Sequence, residues 1–169
     1  MKTLLYLRGK PGSGKITVAR ILEQQLGFKL FWFHDIKNAV YGIVREHRIP
    51  RLMDEITAPI LNYLLERKEN ILYVRPSPDK ETVENIRTLT GKDPEYRFVV
   101  ILLEASYETL QERVQGRDDP FRITSKADLD SYLSERSMAE IPGEHIIQTD
   151  ALDPTQTAAE IVRIIEALQ

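Results

Sequence analysis

The order of apolar segments predicts a three-layer α/β fold in one domain, and three observations carry the prediction. The run Leu4-Leu5-Tyr6-Leu7 enters a glycine-rich turn and then Val18, Ala19, Ile21 and Leu22, whose spacing suits one face of a helix. Phe98-Val99-Val100-Ile101-Leu102-Leu103 is apolar without interruption, as expected of a parallel strand covered on both faces. Further short apolar runs at 28–33, 71–74 and 146–147 alternate with helical stripes, which brings the expected strands to five.

Gly9 to Thr17 reads G-K-P-G-S-G-K-I-T. A glycine-rich turn between a strand and a helix start is where a phosphate-binding loop must sit. Gly9, Gly12 and Gly14 allow a turn tight enough for successive N–H groups, including that of Ser13, to point inward. Those amides and the helix N-terminus favour a polyphosphate. Lys15 adds a positive charge near the β and γ phosphates. The usual motif places Ser or Thr directly after the Lys, where its hydroxyl coordinates Mg2+. Here position 16 is Ile and the nearest hydroxyl belongs to Thr17, so Mg2+ is expected on phosphate oxygens and water, with Thr17 as the one candidate side chain.

The first helix is expected over Lys15 to Leu26, with Gly27 as its C-cap. Phe28 to Phe33 forms an aromatic second strand whose rings pack in the core, with room for one to line a pocket. Its end delivers His34 and Asp35 to the same side as the loop if the strands are parallel. Asp35 is a candidate to orient or deprotonate an attacking hydroxyl; capping the next helix explains it equally well. Ile36, Ala39, Val40, Ile43 and Val44 make a second helical stripe. Arg45, His47, Arg48 and Arg51 then gather around Pro50, and Arg45 and Arg51 are candidates to hold an anionic substrate. Leu52, Ile56, Ile60, Leu61, Leu64 and Leu65 form a third stripe, with Pro59 expected to bend or divide it.

Ile71 to Val74 predicts the third strand, with Arg75 at its end as a candidate phosphate or substrate contact. No carboxylate lies within Ile71 to Ser77, where many phosphate-loop proteins carry a metal-positioning Asp. A short helix over Thr82 to Leu89 ends near Gly91. Beyond the fourth strand, Glu104 is a weaker candidate for the cleft, and Leu110 and Val114 belong to a helix. Lys126 to Arg136 predicts another helix. Asp153-Pro154 turns into a last one whose buried face is Ala158, Ile161, Val162, Ile164, Ile165 and Leu168.

The loop resembles that of adenylate kinases and other small-molecule kinases, G-x-P-G-x-G-K-G-T, with Ile16 where the family has Gly. The stretch Leu102-Leu103-Glu104-Ala105-Ser106 through Glu112-Arg113 and Arg117-Asp118-Asp119 is similar to the strand, helix and arginine-bearing lid of adenylate, shikimate and gluconate kinase-like proteins. That resemblance implies a P-loop fold with strand order 2-3-1-4-5, an acceptor flap over residues 35–70 and a lid over 116–140. It also implies that Arg113, Arg117 and Arg122 contact or close over ATP phosphates, and that Thr149 to Pro154 packs near adenine.

With 169 residues, 42% of them hydrophobic, the chain is long enough for one sizeable core. It has no apolar run long enough to span a membrane, and Met1-Lys2 leads straight into a strand without a signal peptide, so a cytoplasmic protein is expected. The absence of Cys removes a cysteine nucleophile and disulfides, and three scattered His leave no zinc spacing. A net charge of -3 supplies no global field for a nucleic acid. The leading expectation is ATP-dependent phosphoryl transfer to a small metabolite, with Lys15, Asp35 and Arg117 as the catalytic set. The alternatives are a nucleotide-binding regulatory protein with little catalysis, motivated by Ile16, and a nucleic-acid end kinase.

Overall fold

The computed structural model describes residues 1–44, 50–76, 80–115 and 122–168. Five strands, β1 (Lys2–Gly9), β2 (Lys29–Trp32), β3 (Ile71–Val74), β4 (Tyr96–Glu104) and β5 (His145–Gln148), form one sheet in the order β2-β3-β1-β4-β5. All its pairings are parallel. In the centre, Leu4 of β1 aligns with Ile71 on one side and Phe98 on the other.

Continuous apolarity in β1, β3 and β4 follows from burial on both faces. Leu5, Leu7, Leu72, Val99, Ile101 and Leu103 face helices α1 (Lys15–Leu26) and α7 (Pro154–Ala167), which contribute Val18, Leu22, Ile161 and Ile165. Leu4, Tyr6, Ile71, Tyr73 and Val100 face the other way. There they meet Leu61 and Leu65 of α3 (Pro50–Glu66), and Val83 and Ile86 of α4 (Lys80–Thr90). These are the three layers. A smaller core of Leu110, Val114 and Leu129 joins α5 (Tyr107–Val114) to α6 (Lys126–Glu135).

Two elements differ from the sequence reading. β2 stops at Trp32, and Phe33 opens α2 (Phe33–Val44), so His34 and Asp35 lie in a helical first turn instead of trailing a strand. In α2, Ile36 and Val40 pack on the core, whereas Ile43 is 80% exposed. Pro59 sits within α3 without dividing it. Among the described residues, no helix is long and apolar enough to cross a membrane.

Arg8 is a feature that apolar patterning does not announce. It is the last side chain of β1 before Gly9, and it is fully buried on the face that carries Leu4 and Tyr6. Its guanidinium donates to the carbonyl of Ala139 and pairs with Glu144 at 3.4 Å. Glu144 in turn accepts from the backbone N–H of Ile141 at 3.1 Å. The buried charge therefore ties the segment leaving α6 to the central strand.

Removing one partner of such a pair leaves the other charge buried and uncompensated. Glu144→Ala is expected to cost about 3 kcal/mol in urea unfolding, and the double change Arg8→Met with Glu144→Leu to recover most of that loss.

Candidate functional site

The carboxyl ends of the strands open into one cavity of about 600 Å3, the size range of small-molecule sites. Its floor is the Gly9 to Thr17 loop. At Gly9 an added Cβ would stand 2.5 Å from the Leu103 carbonyl oxygen, and at Gly12 it would stand 2.8 Å from that of Leu110. Both glycines also have positive φ, +152° and +90°, so the loop's path requires Gly on two counts. It presses backbone to backbone against β4 and α5.

The loop ends at Gly14, the N-cap of α1, where no side chain caps the helix and no acidic residue stands in the first turn. The orphan N–H groups of that turn are the donors an anion takes up. Lys15 folds back over the loop, its Nζ donating to the Lys10 carbonyl at 2.8 Å and to Ser13 Oγ at 3.2 Å. Ser13 is buried beneath it. Ile16 packs partly against the core and also lines the cavity, as does Thr17.

The far wall on the β5 side is Thr149, Leu152, Pro154 and Thr157. Arg113 reaches it from α5, with Nη1 donating to Thr149 Oγ1 at 3.0 Å and Nη2 to the Thr149 carbonyl at 2.7 Å. Asp150 fixes the same turn to α5 by accepting from the Ser106 N–H at 2.8 Å and the Thr109 hydroxyl at 2.7 Å. The Ser106 bonds come first among the causes that bring the Asp150 carboxyl down to about 2. Asp153 caps α7, accepting from the Gln156 N–H while the Gln156 side chain accepts from the Asp153 N–H.

The β2 side is different in chemistry. Trp32, His34 and Lys37 enter from β2 and α2, and Val74 and Pro76 from the end of β3. Arg122, Tyr132 and Arg136 face them from α6 and the segment before it. The Arg122 guanidinium lies over the Trp32 ring at 4.9 Å, and that of Arg136 over Tyr132 at 4.9 Å. Burial first, and the charge of Arg136 second, hold the Lys37 ammonium below the usual lysine range. The charged side chains lining the cavity among the described residues are Lys15, Lys37, Arg113, Arg122 and Arg136. None is a carboxylate.

The structure thus brings Gly12, Ser13, Gly14, Lys15, Ile16, Thr17, Arg113 and Arg122 to one cavity. Asp35 is exposed in the first turn of α2, outside the lining. Arg75 stacks over Phe33 at 4.6 Å. Glu104 accepts from Gln148 at 2.7 Å and borders a smaller cavity of about 280 Å3 with Lys10 and Asp150. Arg45 and Arg117 lie outside the described residues, as does the side chain of Arg51. Sequence reading missed Lys37, Tyr132 and Arg136. Lys37 carried a signal, two positions beyond Asp35 at the helix start; Arg136 reaches the cavity only through the packing of α6.

Residues 6–141 match the AAA domain family. The chain belongs to that family. A protein of Methanosarcina mazei named "Putative adenylate kinase" is 29% identical over 118 residues, which span 68% of this chain and 60% of that protein. A sugar kinase from Janibacter sp. HTCC2649 superposes with a TM-score of 0.72 at 17% identity, over 98% of this chain and 95% of its own. A gluconokinase from Sinorhizobium meliloti 1021 superposes with a TM-score of 0.64 at 15% identity, with the same coverage of each chain. At these identities the two structures share the fold.

Among the described residues no group of three or more His, Asp or Glu gathers to hold a metal, and Thr17 lies in the first turn of α1 on the cavity lining.

The depressed Asp150 carboxyl makes an acid-stability prediction. Its folded value of about 2 lies below its ordinary 3.8, so its contribution is present above pH 4 and fades as pH falls from about 4 toward 2. Asp150→Asn should flatten the stability profile in that window, measured by thermal unfolding at stepped pH.

Proposed function

We propose that this chain is an ATP-dependent phosphotransferase acting on a small metabolite. The observation that carries the reading is the uncapped start of α1 beneath Lys15, opening into a cavity whose described charged lining is wholly cationic. ATP, entering as its Mg2+ complex, would lay its phosphates on the amides of Gly12, Ser13, Gly14 and Lys15, with Thr17 beside the metal. Its adenine would pack against Leu152 and Pro154, and Arg113, braced on Thr149, would answer phosphate charge.

During transfer, charge spreads over the oxygens of the moving phosphoryl group, and fixed donors aimed at it supply most of the rate. Lys15 is such a donor. Arg117, expected at the lid, is proposed as a second. The similar proteins are named as an adenylate kinase, a sugar kinase and a gluconokinase, which supports a small-molecule acceptor. Nothing in the charge balance favours a nucleic acid.

Lys15→Ala should lower kcat by about 10²- to 10³-fold with an unchanged unfolding temperature, read as ADP release with Mg2+ and a broad metabolite panel. Equal turnover in both proteins would remove the proposal.

Asp35 admits two roles that one variant separates. As an acceptor contact, Asp35→Asn would lower kcat at constant stability. As a negative charge favouring the N-terminus of α2, the same change would lower stability by about 0.5 kcal/mol and leave kcat near its starting value.

Ile16 and the missing carboxylates favour a second reading, a nucleotide-binding regulatory protein. Tight MgATP binding with no phosphorylated product across the panel would support it.

A further inference from the structure

Arg113 reaches the cavity wall already oriented by protein groups. Its Nη1 donates to Thr149 Oγ1 at 3.0 Å and its Nη2 to the Thr149 carbonyl at 2.7 Å. Two acceptors on one residue fix the plane of a guanidinium as well as its position. The reason the hydroxyl serves as an acceptor lies one step further back. Thr149 Oγ1 donates to the Glu104 carbonyl at 2.9 Å, and the Thr149 N–H donates to the same oxygen at 2.8 Å. A hydroxyl has a single proton to give. With that proton committed to Glu104, only its lone pairs face Arg113. Thr149 is 2% exposed, so water has little access to its hydroxyl.

The helix that carries Arg113 is fixed to the same turn at its other end. Asp150 accepts from the Ser106 N–H and the Thr109 hydroxyl, and Ser106 caps α5 by accepting from the Thr109 N–H. Ser106 and Arg113 stand roughly 10 Å apart along the helix, at about 1.5 Å of rise per residue. Residues 149 and 150 thus grip α5 near both ends. The Leu152 N–H donates to the Thr149 carbonyl at 3.3 Å, which joins another wall residue to the same unit. With the helix held, the direction of the Arg113 head is left to Thr149.

We propose that Thr149 is a positioning residue for the nucleotide: its hydroxyl orients the Arg113 guanidinium toward a phosphate of MgATP, and Arg113 acts as a fixed donor of the wall instead of a cation delivered by lid closure. The proposal rests on the kinase reading above and adds to it a residue that acts through another. A guanidinium has more N–H donors than the two that Thr149 takes, so an anion in the cavity that Arg113 lines finds donors already aimed. Groups held in place lose little freedom when an anion binds, and that difference is the contribution assigned to Thr149. Threonine suits the task because its β-branch restricts rotation about χ1. Valine would keep the branched shape with no lone pair to offer, leaving Arg113 the carbonyl alone.

The test measures MgATP affinity by calorimetry on the full chain. Binding is scored apart from turnover, so failure of the transferase reading in the Lys15→Ala assay would leave this test intact. Thr149→Val is expected to weaken MgATP about 10-fold, and Thr149→Ser, which keeps the hydroxyl, to stay within about 3-fold of the parent protein. In an Arg113→Met background the hydroxyl has no guanidinium to orient, and Thr149→Val should then change affinity less than about 2-fold. A merely structural Thr149 would not behave so, because its loss would weaken binding equally in both backgrounds. Thermal unfolding accompanies each variant, and Thr149→Ala repeats the comparison if Thr149→Val does not fold. Unchanged affinity in Thr149→Val, or the same loss in the Arg113→Met background, overturns the proposal and leaves the kinase reading standing. Binding by Thr149→Ser as weak as that by Thr149→Val also overturns it. Absence of MgATP binding by the parent protein overturns the proposal and the kinase reading together.

Discussion

The close approach of the Gly9 to Thr17 loop to the backbone of β4 and α5 is the constraint from which the site follows. Because no Cβ fits at Gly9 or Gly12 against the carbonyls of Leu103 and Leu110, the chain between them lies tight to the sheet before entering α1. That path brings the first turn of α1 to the mouth of the cavity without a capping side chain. A Ser or Asp cap would stabilise the isolated helix by about 1 kcal/mol, but it would also satisfy the donors on which anion binding depends. The helix therefore takes its stability from burial of Val18, Ala19 and Leu22 against the sheet, and its N-terminus stays available. Folding of the core and exposure of the site are two consequences of one backbone route.

How the cations are held follows a related logic. A carboxylate partner would orient an arginine strongly, but it would occupy the same N–H edge that a phosphate needs. Arg136 lies over Tyr132, and Arg122 lies over Trp32. Stacking uses the face of the guanidinium and leaves its donor edge directed elsewhere. Arg113 is held differently, by the hydroxyl and carbonyl of Thr149, which are neutral acceptors and leave its charge uncompensated.

Much of this architecture was legible in the chain. The helix at Lys15 to Leu26 and the strand at Ile71 to Val74 fall where spacing and apolar continuity put them, because both have sharp chemical boundaries in glycine, polar loop and cap residues. The sheet order came through the family resemblance, since periodicity distinguishes a strand from a helix but says nothing of neighbours. Boundaries slipped where apolar residues continue across an element's end. Phe33 is as apolar as the strand before it, yet it opens a helix, and that moves Asp35 to an exposed turn. Ile43 obeys the helical spacing and still faces solvent, because spacing defines a stripe without supplying a partner to cover it. The cationic wall was harder to see for a physical reason: Lys37, Arg122 and Arg136 are far apart in sequence and meet only after α6 packs across the sheet's open end.

Arg8 shows why such convergence depends on the core as well as on the surface. A charge in a fully buried strand is unfavourable unless it is paired, and here its partners belong to the return from α6, at Ala139 and Glu144. The residue following Arg8 is Gly9, the first of the loop, and the helix preceding Ala139 carries Tyr132 and Arg136 into the cavity. The loop and the segment leaving α6 are thus tied together at the buried Arg8. Apolar side chains of the same volume would fill that space without directional partners. A guanidinium has fixed donor directions, and here it meets one carbonyl and one carboxylate of the chain that returns from α6.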